Sequence, residues 1–205
     1  MKRPPTFEGP EGPPRLDRPQ ALQAVADALG GTFGKAQVTG GYVVTVEHGV
    51  WTLTLDLHVV TVATATQVHT RVSVLFLGRE DLRFTVRRRS FIDALAAKVG
   101  LRGLPIGVRE LARRYVVKGR PETLVRSILS GGLANALAVP GTFRVEVRRA
   151  PRRHRKALGP RARQLQVLFG GVDTDVGRMT GMFALARETL DVLQRVGAAS
   201  SEPTR

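Results

Sequence analysis

Val50-Trp51-Thr52-Leu53-Thr54-Leu55-Asp56-Leu57-His58-Val59-Val60 alternates almost without fault between apolar and polar side chains. Trp51, Leu53, Leu55, Leu57 and Val59 point one way; Thr52, Thr54, Asp56 and His58 point the other. A period of two predicts a strand with one buried face. Burying five such side chains contributes roughly 7–15 kcal/mol before costs. Ordering about ten residues costs a similar amount. The strand therefore needs neighbours, and the flanking sequence supplies them.

Tyr42, Val44 and Val46 alternate ahead of a His48-Gly49 turn. Behind it, Val68, Val72, Val74 and Phe76 alternate with Gln67, His69, Arg71 and Ser73. Leu82, Phe84 and Val86 follow a polar turn at 78–81 and alternate with Arg83, Thr85 and Arg87. Four successive strands with short turns predict an antiparallel sheet solvated on one side. Two later segments repeat the pattern: Phe143, Val145 and Val147, then Leu165, Val167 and Phe169. The expectation is an α+β fold with about six strands in a twisted antiparallel sheet.

Helices are expected around this sheet. One runs from Pro19 or Gln20 to Leu29 and stops at Gly30-Gly31. Ser90 opens another, with Phe91, Ile92, Leu95 and Val99 on one face and Gly100 as its stop. Val108 to Arg114 reads as a short helix before an extended Tyr115-Val116-Val117. Pro121 opens a helix that Gly131-Gly132 interrupts. Val176, Met179, Phe183, Ala186, Leu190 and Leu193 recur at helical spacing, so a long helix over 176–196 begins near Asp173.

The 205 residues suit one sizeable core. Residues 1–19 hold six of the twelve prolines and are expected to be a disordered arm. A single domain is expected over 20–197, with a flexible polar tail over 198–205. No cysteine is present, which excludes disulfides, thiolate metal sites and thiol nucleophiles. No apolar run has the length of a signal peptide core or a membrane span, so a cytoplasmic protein is expected.

Charge is the extreme property: 32 Lys plus Arg against 17 Asp plus Glu, a net +15. Such a balance suits nucleic acid or another polyanion. It also fits an arginine-rich chain whose composition reflects a GC-rich genome, since only five of the 32 are lysines. The distribution is more informative. Arg148, Arg149, Arg152, Arg153, Arg155, Lys156, Arg161 and Arg163 crowd one stretch without an acidic residue. They fall between two predicted strands, with Pro151 and Pro160 opposing regular structure, so a long solvated loop that tracks phosphates is expected. Arg87-Arg88-Arg89 forms a second basic group; Arg109, Arg113, Arg114, Lys118 and Arg120 form a third.

A turn centred on Ala63-Thr64 would set His58 opposite His69 and Asp56 opposite Arg71 on the polar face. Two histidines and a carboxylate can begin a metal site; a cross-strand ion pair beside ordinary surface histidines accounts for them better. Asp173 and Asp175 are explained as helix-capping residues. The glycine pairs match no phosphate-loop spacing, and no nucleophile elbow, HExxH or nucleotide fingerprint occurs. A non-enzymatic binding protein without cofactor or metal is expected.

Arg114-Tyr115-Val116-Val117-Lys118-Gly119-Arg120-Pro121-Glu122, followed by Leu124, Val125, Ile128 and Leu129, resembles a stretch of uncharacterised bacterial α+β proteins of unknown function. There an aromatic-x-Val-x-Gly strand leads into a helix; the resemblance implies no activity. The overall element order is similar to the chaperone-like domains of type III secretion chaperones. That resemblance implies a dimeric peptide-binding module, so a protein partner or a homodimer stands beside nucleic acid as an expected partner.

Overall fold

Two neighbouring rows of side chains run across eight strands and explain the architecture. One row reads Phe33, Val44, Leu55, Val72, Val167, Val145, Val86, Val117; the next reads Thr32, Thr45, Thr54, Ser73, Gln166, Glu146, Thr85, Lys118. Opposite residues share a face and successive residues switch faces. The apolar row therefore lies on one side of the sheet and the polar row on the other. A one-residue slip of any strand would carry a polar side chain into the core, so every register is strongly specified.

These strands belong to a computed structural model that describes residues 16–36, 41–62, 65–89, 104, 109–137 and 143–200. Residues 1–15 of the arm expected over 1–19, the helix from Ser90 to Gly100 and residues 201–205 lie outside the described residues, while Arg18 and Pro19 of that arm already belong to a helix. The strands are β1 (Thr32–Lys35), β2 (Tyr42–His48), β3 (Trp51–Val62), β4 (Ala65–Leu77), β5 (Arg83–Arg88), β6 (Tyr115–Arg120), β7 (Phe143–Arg149) and β8 (Ala162–Gly170). All pair antiparallel in the order β1-β2-β3-β4-β8-β7-β5-β6. The α+β class is as expected, but the strands number eight rather than about six. β1 is only four residues and contains Gly34, which weakens any strand signal. The extended piece at Tyr115 continues to Arg120 as an edge strand.

Helices cover the apolar side. α1 (Arg18–Leu29) begins just before the expected start at Pro19 or Gln20 because Asp17 caps it: its carboxylate accepts from the Gln20 amide, and the Gln20 side chain bonds back to the Asp17 amide. Short α2 (Arg109–Arg114) precedes β6. α3 (Glu122–Ile128) runs into a π-helical turn at Leu129–Leu133, where Gly132 has φ of 125°, and then α4 (Ala134–Ala136). The glycine pair breaks the helix as its sequence predicts. α5 (Arg152–Leu158) lies between β7 and β8. α6 (Val176–Arg195) packs on α1, β4 and β8. Leu22, Val46, Leu53, Phe76, Leu165, Phe183 and Leu190 join one contiguous core between helices and sheet.

Two features of the sheet depart from the sequence reading. Leu57 and Val59 are 37% and 57% exposed although they alternate with the buried Trp51, Leu53 and Leu55. The pairing of β3 with β2 reaches only Leu55, while its pairing with β4 continues to Val62. The second feature is the tail, which is anchored as far as Ser200. Ala198 and Ala199 are buried, and the Ser200 amide donates to the Leu77 carbonyl at 2.7 Å. Gly78 admits this close approach; a Cβ there would stand 2.8 Å from the Ala198 carbonyl oxygen.

Candidate functional site: the open face of the sheet

Among the described residues, no helix crosses the centre of the polar side of the sheet, and its side chains form one hydrogen-bonded network. Asp56 sits opposite Arg71, and His58 opposite His69, in the register expected from the Ala63-Thr64 turn. Arg71 grips the Asp56 carboxylate with two nitrogens, its Nε at 2.8 Å. Its Nη1 donates to His58 Nδ1 at 3.0 Å. Guanidinium has no acceptor, so Nδ1 carries no proton. On the adjoining β8, Gln166 turns its amide oxygen to accept from Arg71 Nη1 and Arg148 Nη2 at 3.1 and 2.9 Å. The network links β3, β4, β8 and β7.

His58 is held neutral. Partial burial lowers its pKa from the ordinary 6.5, the Arg71 and Arg148 charges lower it further, and Asp56 opposes them. A neutral imidazole in the fold and a protonated one in the unfolded chain mean that stability falls as pH drops below about 6.5. His58→Asn keeps an acceptor for Arg71 and removes the titration. Its urea midpoint is expected to vary less between pH 7 and 5 than the wild type's, with a change at pH 7 within about 1 kcal/mol.

Arg71 takes up the atoms that a metal ion at this hairpin would need. Both Asp56 oxygens and His58 Nδ1 are engaged by its guanidinium. Among the described residues, no group of three or more His, Asp or Glu side chains is placed to hold a metal ion.

Beyond Arg148 the face becomes strongly cationic. Arg144 and Arg148 on β7, Arg83 and Arg87 on β5, and Lys118 and Arg120 on β6 alternate with buried Val145, Val147, Phe84, Val86 and Val117. The register sets Arg83 directly opposite Arg120. One step past the Phe84–Val147 pair it also brings Arg83 beside Arg148, and one step past Val86–Val145 it brings Arg87 beside Arg144. Glu146 is the acidic residue among them, and Arg144 pairs with it at 3.0 Å. Arg83, Lys118, Arg120 and Arg148 line a groove of about 320 Å³. Arg87, Arg88, Arg144, Arg148, His58 and His69 line a cavity of about 520 Å³.

The eight cations expected in one loop are dispersed. Arg148 and Arg149 end β7, and their side chains take opposite faces. Arg152, Arg153, Arg155 and Lys156 sit on α5, which forms because Pro151 stands at its N-cap, where a missing amide hydrogen costs nothing. Arg153, with His154, reaches a groove of about 710 Å³ shared with Asp56, Arg71 and Gln164. Arg155 donates to the Ala150 carbonyl at 3.0 Å and Arg161 to that of Gly78 at 3.4 Å. Arg163 is fully buried. The expectation of a solvated loop is thus corrected: the stretch folds into strand, helix and strand, and Arg148 and Arg153 line grooves of the open face. Arg71, Arg83 and Arg144 were absent from the basic groups read along the sequence. Strand alternation marks each of them as solvated, but pairing across distant strands brings them together.

No protein-family model matches this chain, and neither a curated protein nor a solved structure matches it. Among the described residues, no helix is long and apolar enough to cross a membrane.

Proposed function

We propose that the protein binds a polyanion, specifically the phosphate backbone of duplex nucleic acid, through the open face of β5, β6 and β7, without reading base sequence. The carrying observation is the direct opposition of Arg83 and Arg120, with Arg148 and Lys118 beside them. Like charges opposed across strands destabilise a sheet, and a run of phosphates relieves that repulsion while accepting forked guanidinium donors. Trp51, Phe76, Phe84 and Tyr115 all belong to the helix-covered core. The cationic face therefore offers these rings to no base, which favours a duplex backbone over a stacked single strand.

The test compares salt titrations of duplex binding for three proteins. Counterion release gives a log–log slope near −0.9 per phosphate contacted. The variant Arg83→Ser/Lys118→Ser/Arg120→Ser/Arg148→Ser is expected to flatten the wild-type slope by about 3–4 units. The variant Arg152→Ser/Arg153→Ser/Lys156→Ser, on α5, is expected to change it by less than about 1 unit. Failure of the wild type to bind at about 50 mM salt, or equal slopes for all three, would remove the proposal.

A protein partner is the second reading. The observation that favours it is the projecting part of the β3–β4 hairpin.

A further inference from the structure

The outer part of the β3–β4 hairpin stands apart from the rest of the sheet. Among the described residues, no strand pairs with β3 beyond Leu55 on its β2 side. β8 accompanies β4 only to Thr70, after which Gly171 bonds Val68 and Thr70. Residues 58–62 and 65–67 consequently form a two-stranded ribbon extending about 17 Å past its neighbours, at about 3.4 Å per residue. Isolated two-stranded ribbons are marginal in water.

Its chemistry is equally distinct. Leu57 to Thr70 contains no Lys, Arg, Asp, Glu, Pro or Gly, although 24% of the chain is charged. On the helix side, Val59 lies opposite Val68. Leu57 and Val59, two apart on the same side of β3, are 37% and 57% exposed. A free strand edge is ordinarily guarded by lysine, proline, a bulge or a covering segment. Residues 58–62 are His, Val, Val, Thr and Val, with no lysine or proline, and among the described residues no strand covers their outer edge, so they pair readily with another strand.

We infer that this edge is a self-association surface, on which a second copy of the chain docks by antiparallel pairing of β3 with β3. The charge pattern selects this occupant. An acidic partner would be drawn to the cationic strands, whereas the ribbon offers no charge to complement. A strand paired with itself needs no complementarity beyond its own edge. A two-fold axis perpendicular to the ribbon keeps odd-numbered residues on one side in both copies. Leu57, Val59 and Thr61 of each copy then extend one shared apolar strip, and the ribbon becomes four-stranded. The opposite side of the ribbon carries His58 and His69, which line the 520 Å³ cavity. Dimerisation through β3 thereby brings two such cavities to either side of one axis.

The absence of native cysteine makes the test direct. The full chain is sedimented without nucleic acid, alongside Val59→Lys and Thr61→Lys. Both positions are exposed, so neither substitution disturbs the monomer's core, and circular dichroism checks that each remains folded. The wild type is expected to sediment as a dimer, and each lysine to raise its dissociation constant on the order of tenfold or more. Single cysteines placed at 58, 59, 60, 61 and 62 are then oxidised separately. Positions near the axis are expected to cross-link to themselves, and a control cysteine at exposed Ser130 is not. A wild type that stays monomeric at every concentration overturns the inference, and so does a dimer that ignores both lysines. Duplex binding is measured separately, so loss of the dimer with retained binding leaves the polyanion face standing.

Discussion

Arg163→Met is expected to cost about 3–5 kcal/mol of stability, the order of loss seen when a buried charge network loses one member. Arg163 is completely buried, and its guanidinium donates only to backbone carbonyls. Nε donates to Arg79 at 3.0 Å, Nη1 to Pro160 and Ala162 at 2.9 Å each, and Nη2 to Glu80. The side chain thus ties the β4–β5 turn to the start of β8. The anchored Ala198 joins the same turn, because its carbonyl accepts from the Arg79 amide at 3.3 Å. Burial and the nearby Arg149 charge lower the Arg163 pKa while Glu80 and Asp81 raise it, and the group stays charged throughout the accessible range. Methionine fills similar volume but leaves the carbonyls without donors, and backbone acceptors cannot be mutated away to compensate. Arg163→Lys offers three donors from one point and cannot span the same carbonyls, so it is expected to lose about 2 kcal/mol. Urea denaturation reads both values. A loss under about 0.5 kcal/mol for the methionine variant would mean that water already serves these carbonyls. The salt slope of duplex binding is expected not to move, because Arg163 faces away from the open side.

Arg163 also shows where sequence reading stops. It closes a stretch rich in arginine that starts at Arg148, so it reads as one more solvated cation. Its partners are carbonyls, which every residue possesses, and carbonyls leave no mark in a sequence. By contrast, the Trp51 strand, its register against β4 and the long C-terminal helix were legible. Each rests on local periodicity or a short turn: Asp56 faces Arg71 because two strands joined at Ala63-Thr64 can pair in few ways. The order of the remaining strands is a different kind of fact. β8 inserts between β4 and β7, and β5 lies between β7 and β6, so β4 does not adjoin β5 and β6 does not adjoin β7. That choice is made by how apolar faces fit over α1 and α6, not by any single strand. The cationic face depends on the same non-local pairing. Arg83, Arg120 and Arg148 are each visible as outward-facing residues, but their assembly requires β5, β6 and β7 to be adjacent. α5 was missed for a local reason: proline at an N-cap starts a helix as readily as proline elsewhere prevents one.

Asp173→Ala is the second substitution expected to be costly, by about 2–4 kcal/mol, whereas Asp175→Ala loses about 1 kcal/mol. The two residues look alike as helix-capping carboxylates, yet the structure separates them. Asp175 is the N-cap, accepting from the Arg178 amide at 2.8 Å in a solvated setting. Asp173 is 3% exposed and accepts from Arg178 Nε at 2.6 Å, Arg178 Nη2 at 3.0 Å and the Asp175 amide at 3.1 Å. Its own amide donates to Thr70 Oγ1 at 2.9 Å, and its carbonyl accepts from Arg18 Nη1 at 3.2 Å. Arg178 in turn lies 4.6 Å over the Phe169 ring. The carboxylate thus holds Arg178 of α6 over Phe169 of β8, while the backbone of the same residue bonds Arg18 and Thr70, and alanine would leave Arg178 and the Asp175 amide without that acceptor. Acid separates this role from simple packing. Burial alone would raise the Asp173 pKa, but the hydrogen bond from Arg178, the neighbouring amides and the Arg178 charge outweigh it and hold the group below its ordinary 3.8. A folded pKa below the unfolded one means that the stabilisation is complete above pH 3.8 and is lost as pH falls through the folded value. The gap in urea midpoint between wild type and Asp173→Asn is accordingly expected to be widest near neutrality and to close only below about pH 4. A gap that persists unchanged at pH 2 would assign the cost to shape rather than charge.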